Sequence, residues 1–539
     1  MNDPKSQTVA ANFPTFKRLF GWLFCWWTVR RCLFALVCLV TLTALFYAEE
    51  NWRGARAWDK YRRELQARGV RLDYRVFIPE PVPDAENFAA TPLVNSWFVK
   101  ENAGNGKADA DDFARASGMV SDVQNKDWGR RQFVDLVAWE KAFAAVRSGT
   151  TNLHESFVAT NRTDIETRAK AAPAVLAGLK SSEANLAELR TASQRPRCRY
   201  PIVYKLEDPW GILVPHLARI KGVAQRLQLR ACAELAAGRS DDAWQDVRLM
   251  LYLADSLKGE PMLISYLVRI ACLQIAFQPI WEGWAEHRWS DPQLQDLQTR
   301  VAQLNLLADM TLPLDGERAA GILTADLLYS RKYRPSDLFY PSDPTAGDFV
   351  DWVSRIGPRG WYAQEKLNYC KLYENQLGGT FDPARKRVFR EQIAFRDHEL
   401  EREIAGGRLG RTFNAAVHHR LLAAMLLPAL GNVSLKAAQT QTAVDQAVLA
   451  CALERYRLAN GQFPERLDAL APHFLDKLPN DVISGEPLKY RRTSDGRFIL
   501  YSVGWNGKDD NGATAKPAVS RNGVRDVSQG DWVWQFPEM

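Results

Sequence analysis

The sequence predicts a mainly α chain in three parts: an N-terminal transmembrane helix, an α-helical extracytoplasmic domain, and a C-terminal α+β region of one long helix and a small antiparallel sheet. Three observations predict it. An uncharged run of seventeen residues, Cys32 to Ala48, lies near the N-terminus. Apolar residues recur at spacings of three and four through the middle of the chain, the period of a helix face. Strand-like segments around a Ser-Asp-Gly turn appear late, after residue 486.

A chain of 539 residues is too long for one core, and about two to four domains are expected. With 46% hydrophobic and 25% charged residues, it is unlike collagen, a disordered chain or a multi-span transporter. The net charge of +7 is spread, with Lys and Arg beside Asp and Glu. A nucleic-acid binder gathers its charge on one face, so no nucleic acid is expected as a partner. Eight cysteines include Cys25, Cys32 and Cys38 at the apolar run, leaving Cys198, Cys232, Cys272, Cys370 and Cys451. Their odd number, wide spacing and lack of C-x-x-C argue against a disulfide framework or zinc site. Cys232, Cys272 and Cys451 lie in Ala- and Leu-rich helical patterns and are expected to pack as small hydrophobes.

Cys32 to Ala48 is at the lower limit for spanning a bilayer. Arg30 and Arg31 precede it, and Glu49 and Glu50 follow. Upstream, Trp22, Trp26 and Trp27 with Lys17 and Arg18 fit an interfacial belt. The basic flank predicts residues 1–31 inside, one span at 32–48 in the cytoplasmic membrane, and the bulk of the chain outside. Arg53, Arg56, Lys60, Arg62 and Arg63 after the run weaken that asymmetry. A cleaved signal peptide is the rival reading. Phe46 and Tyr47 before Ala48 suit a cleavage site poorly.

Residues 49–85 read as a juxtamembrane helix over 51–71 and a linker, in which Pro79, Pro81 and Pro83 favour an extended spacer. Residues 86–408 form the predicted helical domain, helical almost throughout from about 130 to 305. Leu213, Leu217, Ile220, Ala224, Leu227, Ala231 and Leu235 share one helix face. Gly238 is placed to end that helix, and Ser240 to cap the next, with Asp241 and Asp242 in its first turn. This hairpin resembles one tetratricopeptide unit over some thirty residues, but it lacks the family's aromatic and proline positions and no repeat follows. A generic helical hairpin is therefore expected. Helices are expected at 263–286 and 292–307, the second capped by Ser290 or Asp291. Prolines and glycines mark 334–362 as a long irregular connection. Its Phe339, Tyr340, Phe349, Trp352, Trp361 and Tyr362 either line a binding surface or pack the loop down, and packing is the simpler expectation. Residues 381–404 read as one charged, solvated helix.

From Ala423 to Leu430 an apolar stretch opens a helix to about Ala459, stopped by Asn460-Gly461. A strand at Pro487–Arg491, a turn at Ser494–Gly496, a strand at Phe498–Gly504 and a late Gly-Asp-Trp-Val-Trp follow. This order, over 409–539, resembles the type IV pilin and type II secretion major pseudopilin fold. The resemblance implies a long helix on a small sheet, a secretion-related role, and calcium ligands at Asp509, Asp510 and Asp531. The chain departs from the family: the helix is internal and Gly410–Asn414 lacks the glutamate that follows a peptidase site. Leu421 to Leu430 also contains Pro428 and is too short to span. Processing and polymerisation are not expected, and Cys32 to Ala48 is left as the single span. Calcium on oxygen ligands is chemically sensible, but ordinary Asx turns among Asn506, Gly507, Asn511 and Gly512 explain the same residues and are favoured.

No H-E-x-x-H, P-loop, G-x-S-x-G or dinucleotide fingerprint occurs. The adjacent His418 and His419 would point about 100° apart on a helix, a poor ligand pair. No catalytic or cofactor-binding residue is assigned. The expected function is that of a membrane-anchored scaffold or interaction protein of the bacterial cell envelope, with the lipid bilayer and other proteins as partners. The alternative is an extracytoplasmic hydrolase whose site is assembled from distant residues, as glycosidase carboxylates are.

Overall fold

Helix α1 (Trp26–Ala67) runs 42 residues without a break. The structure, a computed structural model, describes residues 26–99, 111–120, 129, 131–149, 165–330, 333, 334, 336, 351, 352, 354–405, 414, 415, 418–515 and 526–537. Phe339, Tyr340, Phe349, Trp22 and Cys25 lie outside them. The first half of α1 leaves its apolar side chains bare, with 0% of that stretch buried. The second half buries Glu50, Gly54, Trp58 and Leu65, which are spaced to share a face. The juxtamembrane helix is thus a continuation of α1. Gly69 (φ +81°) ends it, with the Val70 N–H donating to the Leu65 carbonyl at 3.0 Å. The proline-spaced stretch is held down: the Arg199 side chain donates to the Pro79 carbonyl at 2.9 Å, and Arg195 to that of Asp84 at 3.0 Å.

The helical body contains α2 (Asp112–Met119), α3 (Leu136–Arg147), α4 (Ile165–Gly178), α5 (Glu183–Ala192), α6 (Pro215–Ala236), α7 (Ser240–Asp255), α8 (Leu263–Ala285) and α9 (Asp291–Ala302). Residues 193–214 are irregular, so the expectation of near-continuous helix fails there. Pro196, Pro201 and Pro209 lack the N–H a helix needs. Leu213 precedes α6 and is exposed, whereas the other six residues of the predicted face are buried. Gly238 (φ +78°) does end α6, and the Arg239 N–H returns to the Glu234 carbonyl at 2.8 Å. Ser240 is the first residue of α7, with Asp241 and Asp242 in that turn, and makes no side-chain cap. Ser290 caps α9 through a capping box with Gln293.

Next come α10 (Thr311–Tyr329), α11 (Gly360–Leu377), the hairpin β1 (Phe381–Asp382) and β2 (Arg387–Val388), and α12 (Arg390–Ile404). The predicted helix over 381–404 therefore begins nine residues late. Pro383 breaks it, and Lys386 turns the hairpin at φ +50°. Trp361 and Tyr362 belong to the first turn of α11 rather than to the loop.

Toward the C-terminus, α13 (Leu421–Leu426) passes through a tight turn at Pro428 into α14 (Leu430–Asn460), and Gly461 (φ +77°) stops it. Strands β3 (Lys489–Arg492), β4 (Phe498–Ser502) and β5 (Trp532–Gln535) form an antiparallel sheet in that order, with Leu500 opposite Tyr490 on one side and Trp534 on the other. The fold is mainly α with two small antiparallel sheets. From Thr440 to Glu454 every residue of α14 is buried, packed on α8, α9 and β5. Two of the apolar clusters join residues from both sides of position 409.

Among the described residues, three helices are long and apolar enough to cross a membrane: α1, α8, and the α13–α14 pair over Leu421–Asn460. The sequence reading credited only the first. In α8 61% of the apolar stretch is buried inside the protein, and in the α13–α14 pair 47%.

Candidate functional site

The second half of α1 is clamped to α11 at two levels. At the first, Gly54 crosses Gly360 so closely that a Cβ on either would overlap the other's helix backbone. Here the Glu50 carboxylate, 7% exposed, accepts from Trp361 Nε1 at 3.2 Å, Gln364 Nε2 at 3.0 Å and Arg53. The Arg53 hydrogen bond, with those of Gln364 and Trp361, holds that carboxyl below its usual range against the opposing effect of burial. Asn51 Oδ1 accepts from the Gly360 N–H at 2.7 Å. His419 lies against the Trp361 ring, 5.2 Å between centroids, and burial lowers its imidazole to about 4. At the second level, Glu374 accepts from Tyr61 Oη at 2.6 Å and from Arg68 at 2.7 and 2.8 Å.

Between α1, the turn after it and α10 lies an open cleft of about 850 Å³. Trp58, Tyr74 and Ile322 supply apolar walls, and Arg62, Arg71, Arg75 and Lys366 supply cations. Two carboxylates, Asp73 and Asp326, also line it, so four cations face two anions. Lys366 Nζ stands 2.6 Å from Asp326 and 5.0 Å over the Trp58 ring. Arg62 pairs with Asp59 at 3.0 Å and Arg75 with Asp73 at 2.7 Å, while Arg71 lies 4.5 Å over the Phe77 ring. Local chemistry shapes the turn: Asp73 accepts from the Arg75 N–H at 3.0 Å and opens a short 3-10 turn over Tyr74–Phe77. The cleft holds hydrogen-bond donors and apolar surface, which suits binding. Sequence reading missed it because its walls come from residues near 60, 74, 322 and 366, and only the excess of Arg and Lys after Glu50 marked one wall.

A second polar cluster lies in the interior. His216 Nε2 meets Glu260 Oε1 at 2.8 Å, Ser265 donates to the other Glu260 oxygen, and Tyr200 stacks on the imidazole at 4.3 Å. Glu260 therefore sits between Ser265 and His216. A nucleophile–base relay needs the imidazole in that middle place. His216 and Ser265 are fully buried and Glu260 is nearly so, which makes this a packed network. The Arg168 guanidinium, between Glu282 and Glu286 and 4.3 Å over Phe133, is a second buried ionic cluster.

The three carboxylates suggested as calcium ligands are brought close and are already occupied by donors of the chain. Asp531 accepts from the N–H groups of Asp510 at 3.2 Å and Gly512 at 2.7 Å. Asp510 accepts from Asn506 Nδ2 at 2.8 Å. Asp509 accepts from Tyr501 Oη at 3.1 Å and the Asn511 N–H at 3.0 Å. Among the described residues no three His, Cys, Asp or Glu side chains converge as metal ligands. No protein-family model matches the chain, and no curated protein or solved structure is similar enough to match it.

Proposed function

We propose that this chain is a single-pass membrane-anchored scaffold of the bacterial cell envelope, with Cys32 to Ala48 in the cytoplasmic membrane, its N-terminus inside and its helical body outside. In this reading the cleft beside α1 binds an extended segment of a partner protein that carries acidic and apolar side chains. One observation carries it: the bare apolar stretch and the cleft lie on one unbroken helix. Trp58 follows Ala48 by ten residues, about 15 Å of helix, so the cleft opens just above the headgroups. The clamp of α1 to α11 holds that spacing rigid, which a flexible tether would not.

The test uses the full chain in lipid nanodiscs and two labelled peptides read by anisotropy, one alternating Glu with Leu and Phe, the other with Lys in place of Glu. Saturable binding of the acidic peptide alone is expected, weakened at least tenfold by Arg71→Glu with Arg75→Glu. Equal binding of both peptides, or of neither, overturns the proposal.

A further inference from the structure

Where α1 changes from bare to buried, a distant segment reaches the same level. Tyr47, the next-to-last residue of the apolar run, donates its hydroxyl to the carbonyl of Ile356. Residues 351, 352 and 354–356 are helical, so Trp352, Arg355 and Ile356 stand on one side of a turn. All three are exposed, Trp352 at 58% and Ile356 at 47%. Arg359 follows, also exposed, and lies 5.2 Å over the ring of Tyr329, which is itself exposed. On α1, Trp52 is exposed five residues past Tyr47, with Arg56 5.5 Å over its ring. Two segments some three hundred residues apart thus carry exposed aromatic and aliphatic groups, each beside arginine, to the point where α1 turns polar. Such a mixture favours headgroup depth, with rings among the glycerol groups and guanidinium ions on phosphate.

We infer that the turn bearing Trp352, Arg355 and Ile356 is a second, interfacial membrane contact, lying on a phospholipid surface rich in anionic headgroups beside the point where α1 emerges. It rests on the reading of α1 as the span, and it adds that the body is fixed against the bilayer on one side. Gly360, four residues after Ile356, is locked to Asn51 and Gly54, so the contact cannot rise without disturbing the clamp.

The experiment places p-benzoylphenylalanine at positions 36, 352, 356 and 395 of the full chain, in nanodiscs containing phosphatidylglycerol, and weighs photo-adducts by mass spectrometry. Phe395, 53% exposed on α12, neighbours Arg396, which contacts Asn375 near the far end of α11. Lipid adducts are expected at 36, 352 and 356, at least fivefold above 395. In discs of phosphatidylcholine alone, the yield at 352 and 356 should fall at least twofold while that at 36 holds. If 36 yields adducts but 352 and 356 match 395, the interfacial contact is overturned and the span stands. No adduct at 36 overturns both. A yield indifferent to headgroup charge overturns the anionic preference.

Discussion

Helices α1 and α8 are both long and apolar enough to cross a membrane, yet one leaves its apolar stretch bare and the other buries most of it among its neighbours. The difference lies in the polar residues. Within α1 the run Cys32 to Ala48 carries no charge. In α8 Arg269, Gln278 and Glu282 are fully buried, and each finds a partner from elsewhere in the chain. Arg269 reaches Asp309 at 2.8 Å and Asp255 at 3.1 Å. Glu282 takes the Val134 N–H at 2.7 Å together with Arg168. A helix that is apolar all round must be covered, by protein or by lipid. Partnered polar groups identify the helix that protein covers.

The sharpest way to break this contrast is to remove a partner from α8. Glu282→Ala takes one of the two carboxylates from the buried Arg168 and the acceptor from the Val134 N–H, and unfolding in detergent should show a loss of about 3–5 kcal/mol. Leu36→Ala in α1 should leave the same unfolding curve within about 0.5 kcal/mol. Equal effects would dissolve the distinction.

The next test concerns α14, whose Asp445 is 3% exposed and accepts from Gln441 Nε2 at 3.2 Å with Lys386 at 3.6 Å. Burial raises its carboxyl to about 6 from an ordinary 3.8. The folded state then holds a proton that the unfolded state gives up between those values. Its stabilising contribution is complete below pH 3.8 and lost as the pH rises through 6, a fall on the order of 3 kcal/mol. Asp445→Asn should flatten that part of the stability–pH curve. An unchanged slope would place the titration elsewhere.

A smaller effect is expected where α1 passes from bare to covered. Gly54→Val forces α1 away from Gly360 and should cost about 1–3 kcal/mol, with residues 49–67 becoming open to proteolysis while the body stays resistant. Protection as in the parent chain would show that the clamp is not what holds α1. The smallest effect is expected from calcium. Asp509, Asp510 and Asp531 already accept from the chain's own donors, so millimolar calcium should leave the melting temperature within about 1 °C. A rise of several degrees that Asp531→Asn abolishes would restore the metal reading.

Local chemistry made much of the fold legible. Gly238 and Gly461 end helices where left-handed backbone is needed, and Ser290 caps α9 through Gln293. The failures were also local in form and tertiary in cause. The charged segment 381–404 looked like one helix because its ions obey helical spacing, whereas Pro383 and the turn at Lys386 cut it. Trp361 read as a loop aromatic because its partner, the Glu50 carboxylate, lies 311 positions away. The cleft was illegible for the same reason: Lys366 and Trp58 meet only after α11 packs along α1.

The sequence by itself determined where some helices begin and end, at Ser290, Gly238 and Gly461, that the long C-terminal helix precedes strands, and that Cys32 to Ala48 carries no charge. Those properties rest on backbone conformation, capping and charge within a few neighbouring residues. Only the tertiary structure decided which of three apolar helices is covered by protein, where the Trp58 cleft opens, and that Tyr47 meets Ile356. Burial and partnership join residues hundreds of positions apart, and no local pattern records which distant surface will cover them.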